Sequence, residues 1–240
     1  MRLRFAMCLA AAFPAAAENF DPVNDLRLGV TIQQSPTISE VITPSGGAGK
    51  NYNWEGGKRF GLRYDVEYDQ GMSRRGRALP GFLWSVGVSY SNNTITPGSY
   101  DTGGGSSSNS REDQELSYRQ YGLMGGIGWA TMPTATSMGS YHFETSLLGR
   151  GGWSIAQSTS PGLTPEIGEG SAPYWEAGAR GGVVVCDEHW LLGVTLGWLY
   201  GRNKVDIDLP GGSGGSGGSS SQMTIIRNGA EAALQIGFRF

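Results

Sequence analysis

Between Lys58 and Asp69 every second residue is large and apolar: Phe60, Leu62, Tyr64, Val66 and Tyr68 hold one parity, while Arg59, Gly61, Arg63, Asp65 and Glu67 hold the other. A period of two is the strand period, because successive side chains of an extended chain point to opposite faces. On a helix the same pattern would scatter the charges around the cylinder. The segment ending at Phe240 repeats it, with Ala232, Leu234, Ile236, Phe238 and Phe240 set against Glu231, Ala233, Gln235, Gly237 and Arg239.

The same test along the chain predicts eight strands, near residues 26–42, 57–69, 80–95, 115–131, 140–156, 173–186, 189–208 and 222–240. One face of each is apolar, as in Leu26, Leu28, Val30 and Ile32, or in Trp190, Leu192, Val194, Leu196, Trp198 and Tyr200. The opposite faces carry Gly87, Gly122, Gly126, Gly128, Gly178, Gly182, Gly193, Gly197 and Gly201 beside serines and charges of both signs. A soluble sandwich would turn its large apolar residues inward and expose a richly charged face. Here the charges share a face with glycines that suit a crowded interior, so the polar side is the inside. The expectation is an all-β fold: a closed, up-and-down antiparallel transmembrane β-barrel of eight strands, apolar toward lipid and polar within.

Composition agrees. Only 16% of the 240 residues are charged and 40 are glycine, against roughly a quarter charged and ~7% glycine in soluble domains. The aromatic content of 10% is too high for a disordered chain. The formal charge of −3 supplies no broad basic surface for nucleic acid. Residues Met1 to Ala17 read as a cleaved secretory signal, with Arg2 and Arg4 at the start, an apolar Phe5 to Phe13 and small residues at Ala15, Ala16 and Ala17. The expected organisation is a signal peptide over 1–17 and a barrel domain over 18–240. Cleavage removes Cys8 and leaves Cys186 without a disulfide partner.

The connections alternate in length. Thr43 to Gly56, Thr96 to Gln114, Gln157 to Ala172 and Leu209 to Ser221 are long and rich in Gly, Ser and Pro, whereas Gln70 to Leu79, Met132 to Gly139 and Asp187-Glu188 are shorter. Short periplasmic turns alternating with long extracellular loops are the rhythm of an outer-membrane barrel. With its secretory leader, eight alternating strands and terminal Phe240, the chain resembles the small OmpA/OmpX-type outer-membrane barrels in architecture. That resemblance implies location in the outer membrane of a Gram-negative cell, with outer-membrane lipid and lipopolysaccharide as surroundings. It also implies that Phe238 and Phe240 form the assembly signal presented to the barrel insertion machinery. No peptidoglycan-binding domain is expected.

The inward parity collects a charge network of Arg27, Arg59, Arg63, Asp65, Glu67, Glu144, Arg150, Glu176, Arg180, Glu231 and Arg239. Unpaired charges in a narrow lumen are costly, so pairs across strands are expected: Arg27 and Arg239 with Glu67, and Arg150 with Glu176. An eight-stranded interior is just wide enough for side chains to fill. The only histidines, His142 and His189, both follow short turns, and no serine cluster has a histidine beside it, so a Ser/His/acid catalytic set is not expected. Two dispersed histidines and one cysteine do not make a zinc site. Gly49-Lys50 lacks the glycine and the Ser/Thr of a phosphate-binding loop. No metal and no cofactor is expected. Outward aromatic residues gather toward the strand ends, where membrane interfaces lie. The functional expectation is a non-enzymatic outer-membrane barrel with a structural or surface-interaction role. A narrow solute channel is the alternative, and an outer-leaflet lipid enzyme is disfavoured by the position of the histidines.

Overall fold

The computed structural model describes residues 21–44, 49–54, 60–74, 77–78, 81–95, 116–136, 139–159, 167–209 and 219–240. The leader, Arg59, the Thr102 to Ser110 run and residues 210–218 lie outside them. In chain order the strands are β1 (Asp21–Gln34), β2 (Thr37–Pro44), β3 (Lys50–Trp54), β4 (Phe60–Arg74), β5 (Arg77–Ala78) and β6 (Gly81–Ile95). They continue as β7 (Leu116–Ala130), β8 (Thr134–Thr136), β9 (Gly139–Thr159), β10 (Ile167–Cys186), β11 (Trp190–Leu209) and β12 (Ser219–Arg239).

Eight long strands form one antiparallel ring in the order β1, β4, β6, β7, β9, β10, β11, β12. The ring closes because β12 pairs back onto β1, from Asp25 opposite Arg239 to Gln33 opposite Glu231. Closure gives each of the eight long strands a neighbour on both sides, the condition for a sheet in lipid. The short pieces extend these columns: β2 continues β1 along β12 and carries β3, while β5 and β8 are small hairpin partners of β4 and β9.

The outward parity is apolar and exposed. Leu28, Leu123, Leu147, Leu196 and Leu234 all face out, a surface that water would drive to aggregate and lipid would accept. Aromatic residues bound this band. Tyr64, Tyr90, Tyr121 and Trp153 are consecutive register neighbours across β4, β6, β7 and β9, and the Tyr90 and Tyr121 rings lie 5.1 Å apart. At the short-turn end Trp190 meets Phe238 edge-on at 5.6 Å, and Tyr68 meets Trp84 at 5.7 Å. Along β9 the outward Phe143 and Trp153 bracket the band. Ten residues of a strand tilted ~40° rise about 25 Å, the height of a bilayer-facing apolar belt.

Several strands run farther than the periodicity predicts, because the alternation changes sense beyond the belt. On β11 the inward residues become Val205, Ile207 and Leu209, and the outward ones Lys204, Asp206 and Asp208. Ile38, Ile42, Ile95, Leu116, Met223 and Ile225 join them in a buried apolar cluster at the long-loop end. There both faces of the wall are away from lipid, so the outside turns polar and the inside packs as an ordinary core. The stretches expected as loops at Gln157 to Ala172 and Leu209 to Ser221 therefore contain strand ends, and Thr43 to Gly56 contains β3.

The first expected strand, 26–42, is broken in two. Its inward parity is odd through Gln33 and even from Ile38, with the shift at Ser35 and Pro36. Proline has no N–H to give to the ladder. The freed carbonyl of Gln34 accepts a hydrogen bond from Arg227 Nη1 at 3.0 Å. At the opposite end β9 begins on Gly139 with φ +122°, where an added Cβ would meet the Cys186 carbonyl.

Candidate functional site in the barrel lumen

Residues two apart on a strand share a face, so Asp25 with Arg27, Arg63 with Asp65 and Glu67, and His142 with Glu144 all enter the lumen together. Nearest the short-turn mouth, Arg239 forms a two-pronged bond to Asp25, at 2.8 and 2.9 Å. Arg27 is the hub of this layer. Its terminal nitrogens reach both Glu144 oxygens at 2.7 and 2.8 Å, its Nε faces Asp69 at 2.7 Å, and Asp25 lies 3.3 Å away. His142 Nε2 is 2.9 Å from Glu144 Oε1.

Above it, Arg180 of β10 crosses to Glu67 of β4, with Nη1 donating to Oε2 at 2.8 Å and Nη2 to Oε1. Ser146 and Gln235 complete that contact. The next layer joins Arg63 to Asp65 at 2.9 Å and to Glu231 at 2.7 Å, with the Thr31 hydroxyl donating to Asp65. Arg150 follows, 3.4 Å from Glu231 and 3.9 Å from Glu176. Glu176 is held closer by Arg227 at 2.7 Å and by the Gln120 amide at 3.0 Å. Tyr118, Asn203 and Ser154 then hand the chain of hydrogen bonds to the Ala172 carbonyl, and the apolar cluster lies beyond. Within that cluster Glu40 is fully buried and accepts from the Ser158 and Ser221 hydroxyls at 2.7 and 2.6 Å.

Ten of the residues expected in the network lie in this stack, and Arg59 lies outside the described residues. The expected pairing of Glu67 is corrected. Arg27 stands directly opposite Glu67 in the ladder, yet its side chain turns to Glu144 and Asp69, Arg239 turns to Asp25, and Glu67 is taken by Arg180 from across the barrel. A long guanidinium stem spans the lumen as readily as it reaches a neighbour, so ladder adjacency does not choose the partner. Arg150 and Glu176 do face each other in register, although Glu176 is nearer Arg227.

Sequence reasoning missed Asp25, Asp69, Arg227 and the buried His142 as members. Each has the inward parity of its strand: Asp69 stands at the end of the expected strand 57–69 on the parity of Asp65 and Glu67, and extending the alternation one residue before the expected strand 26–42 would have found Asp25. Their inclusion leaves one carboxylate more than guanidinium in the polar stack, and His142 beside Glu144 is the remaining basic group. Gly122 makes room for the fill: an added Cβ there would strike the Tyr174 hydroxyl.

Small spaces interrupt the packing, two of them inside the lumen. One of about 10 Å³ lies among Tyr118, Tyr174, Glu176, Asn203 and Arg227. The other, of about 30 Å³, lies at the short-turn mouth among Asp25, Asp69, Phe82, His142 and Arg239. Ligand pockets are typically ~300 to 1,000 Å³, so each space suits a water molecule or so. No group of three His, Cys, Asp or Glu side chains among the described residues is arranged to hold a metal ion. Cys186 is buried at the end of β10, and His189 lies in the turn before β11.

The crystal structure of the outer membrane protein OprG from Pseudomonas aeruginosa superposes on this ring with a TM-score of 0.51 at 11% identity, over 92% of this chain and 97% of that one. The fold is that of an outer-membrane β-barrel. Lower similarity extends to the outer membrane protease OmpT from Escherichia coli, with a TM-score of 0.42 at 9% identity over 92% and 97% of the two chains. It extends also to the attachment invasion locus protein Ail of Yersinia pestis, with a TM-score of 0.31 at 9% identity over 90% and 99%. No protein-family model and no curated protein sequence matches the barrel.

Proposed function

We propose that the protein is a closed, non-conducting and non-enzymatic barrel of the outer membrane. It serves as an envelope component and as a platform for the long connections at one mouth. The observation that carries this reading is the double filling of the lumen. A ladder of ion pairs, from Arg239 and Asp25 to Arg227 and Glu176, occupies the belt region, and an apolar core of Ile38, Ile207, Met223 and neighbours seals the long-loop end. A hydrated pathway would have to break both.

The mouths take their sides from the turns. The short connections after β7 and β10 mark the periplasmic end, and the longer ones the cell surface. The apolar leader supports export through the inner membrane. The non-enzymatic reading is supported by the engagement of the buried His142 with Glu144, which holds that imidazole within the ion-pair stack. Planar-bilayer conductance of the refolded mature protein, recorded together with its urea midpoint, tests the reading. The expected result is conductance at the lipid background and a midpoint that falls when Glu176→Ala strands Arg227. Steady conductance with an unchanged midpoint would instead make the protein a narrow channel.

A further inference from the structure

The ion-pair stack divides above Arg180 into two halves of unequal charge. On the long-loop side Arg63, Arg150 and Arg227 stand among Asp65, Glu176 and Glu231, three of each sign. On the short-turn side three guanidiniums, Arg27, Arg180 and Arg239, stand among four carboxylates, Asp25, Glu67, Asp69 and Glu144. Arg180 and Glu67 take each other, so the deficit falls on the mouth layer, where Asp25, Asp69 and Glu144 all draw on Arg27. A buried carboxylate short of countercharge is costly.

Two side chains of this layer have buried polar atoms with nothing to bond. Neither Asp69 oxygen accepts a hydrogen bond among the described residues, although Arg27 Nε stands 2.7 Å from Oδ2. His142 turns Nε2 to Glu144 at 2.9 Å, and its Nδ1 meets no oxygen. Asp69 is 4% and His142 3% exposed, and both line the space of about 30 Å³ at the short-turn mouth. The titratable and charged groups facing the imidazole are Glu144 of its own strand β9, Cys186 of β10, Asp25 and Arg27 of β1, Asp69 of β4 and Arg239 of β12.

We propose that this layer is a proton-operated latch: His142 is held as an imidazolium that supplies the missing positive charge, donating from Nε2 to Glu144 and from Nδ1, through a water in the space, to Asp69. An imidazolium donates from both ring nitrogens, whereas the neutral ring donates from one only. A polar space of this size holds a water. Loss of the proton to solvent at the mouth leaves Asp25, Asp69 and Glu144 with Arg27 and Arg239 alone. The layer fastens β12 to β1 through Arg239 and Asp25, and β9 to β1 through Glu144 and Arg27. Its loosening therefore releases the closing seam from the short-turn end. An imidazole in the unfolded chain titrates near ~6.5, and the one in the layer keeps its proton to higher pH. Its contribution to stability is complete below ~6.5 and is lost as pH rises toward the folded value.

The full mature protein, refolded in phosphatidylcholine bilayers with isotope-labelled histidine, tests this without assigning either mouth to a side of the membrane. Ring-nitrogen NMR is expected to show His142 doubly protonated at about pH 7.5, more than half of it charged where an ordinary imidazole is neutral; the signal is assigned by its absence from His142→Gln. Between about pH 7 and 8.5 the folding equilibrium constant, from urea unfolding in vesicles, should fall about tenfold per pH unit, and His142→Gln should remove that slope. Asp69→Asn takes away the surplus carboxylate. It should shift the His142 titration to lower pH and make the barrel more stable than the wild type at the alkaline end of that range. A neutral His142 ring in the wild type at about pH 7.5 overturns the proposal, whether or not any variant folds. A level folding constant across the range overturns the latch, and an unmoved titration in Asp69→Asn overturns the sharing of the proton with Asp69.

Discussion

Arg180 on β10 and Glu67 on β4 meet across the lumen, Nη1 to Oε2 at 2.8 Å, although they are 113 residues apart in sequence. The contact ties together two walls that share no ladder, with Glu67 buried and Arg180 largely so. A pair in this position is costly to break from one side, because the survivor keeps its charge and loses its partner.

Glu67→Ala is therefore expected to destabilise the refolded barrel by about 3 to 5 kcal/mol, and Arg180→Ala by a similar amount. The double variant should cost clearly less than the two singles together, since it leaves no orphan charge. Urea midpoints of the four proteins in lipid vesicles check this. Additive losses would mean that lumen water already solvates both groups.

The apolar layer at the long-loop end makes a different prediction. Ile207→Ala removes packing from a core where the side chain is 1% exposed, and should cost about 2 to 5 kcal/mol. Leu196→Ala on the lipid face should cost less, because lipid occupies the vacated space. Leu196→Lys, by contrast, places a charge within the belt and should cost about 2 to 4 kcal/mol. Equal losses for the two alanine variants would argue that the upper layer is loosely packed.

Phe240 is bound into the fold only lightly, with its backbone N–H donating to the Asn24 carbonyl at 3.0 Å and its ring 6.4 Å from Tyr68. Deleting it should cost little in the urea midpoint of protein refolded in vitro, yet sharply reduce the folded, heat-modifiable protein recovered from outer membranes in cells. That split separates an assembly signal from a structural side chain. Normal recovery in cells would remove Phe238 and Phe240 from that role.

Export is checked at the leader. The membrane-fraction product should begin at Glu18, with cleavage after Ala17, and should sediment with outer rather than inner membranes. Intact mass and N-terminal peptide analysis read the site, and a soluble product retaining Met1 would reject export.

Facing was legible residue by residue. The period of two in Phe60 to Tyr68 and in Trp190 to Tyr200 assigns each side chain to lipid or lumen without any knowledge of partners, because the alternation belongs to the extended backbone itself. The same rule held a further signal, the change of sense at Lys204 to Leu209, which marks where the wall leaves lipid. The break at Pro36 was not read, since the expected strand 26–42 runs through it; the structure splits that strand there and sets Arg227 of β12 on the Gln34 carbonyl beside the break.

Alternation in the sequence by itself determined the strand type, the inward and outward faces and the aromatic margins, all of them properties of near neighbours along the chain. Only the closed tertiary structure decided which inward charges meet. Closure brings β4 opposite β10 and β1 opposite β9, and within that narrow lumen a guanidinium on a long stem can reach a carboxylate on the far wall. Arg27 therefore passes over Glu67, its own ladder neighbour, to bond Glu144, while Glu67 receives Arg180.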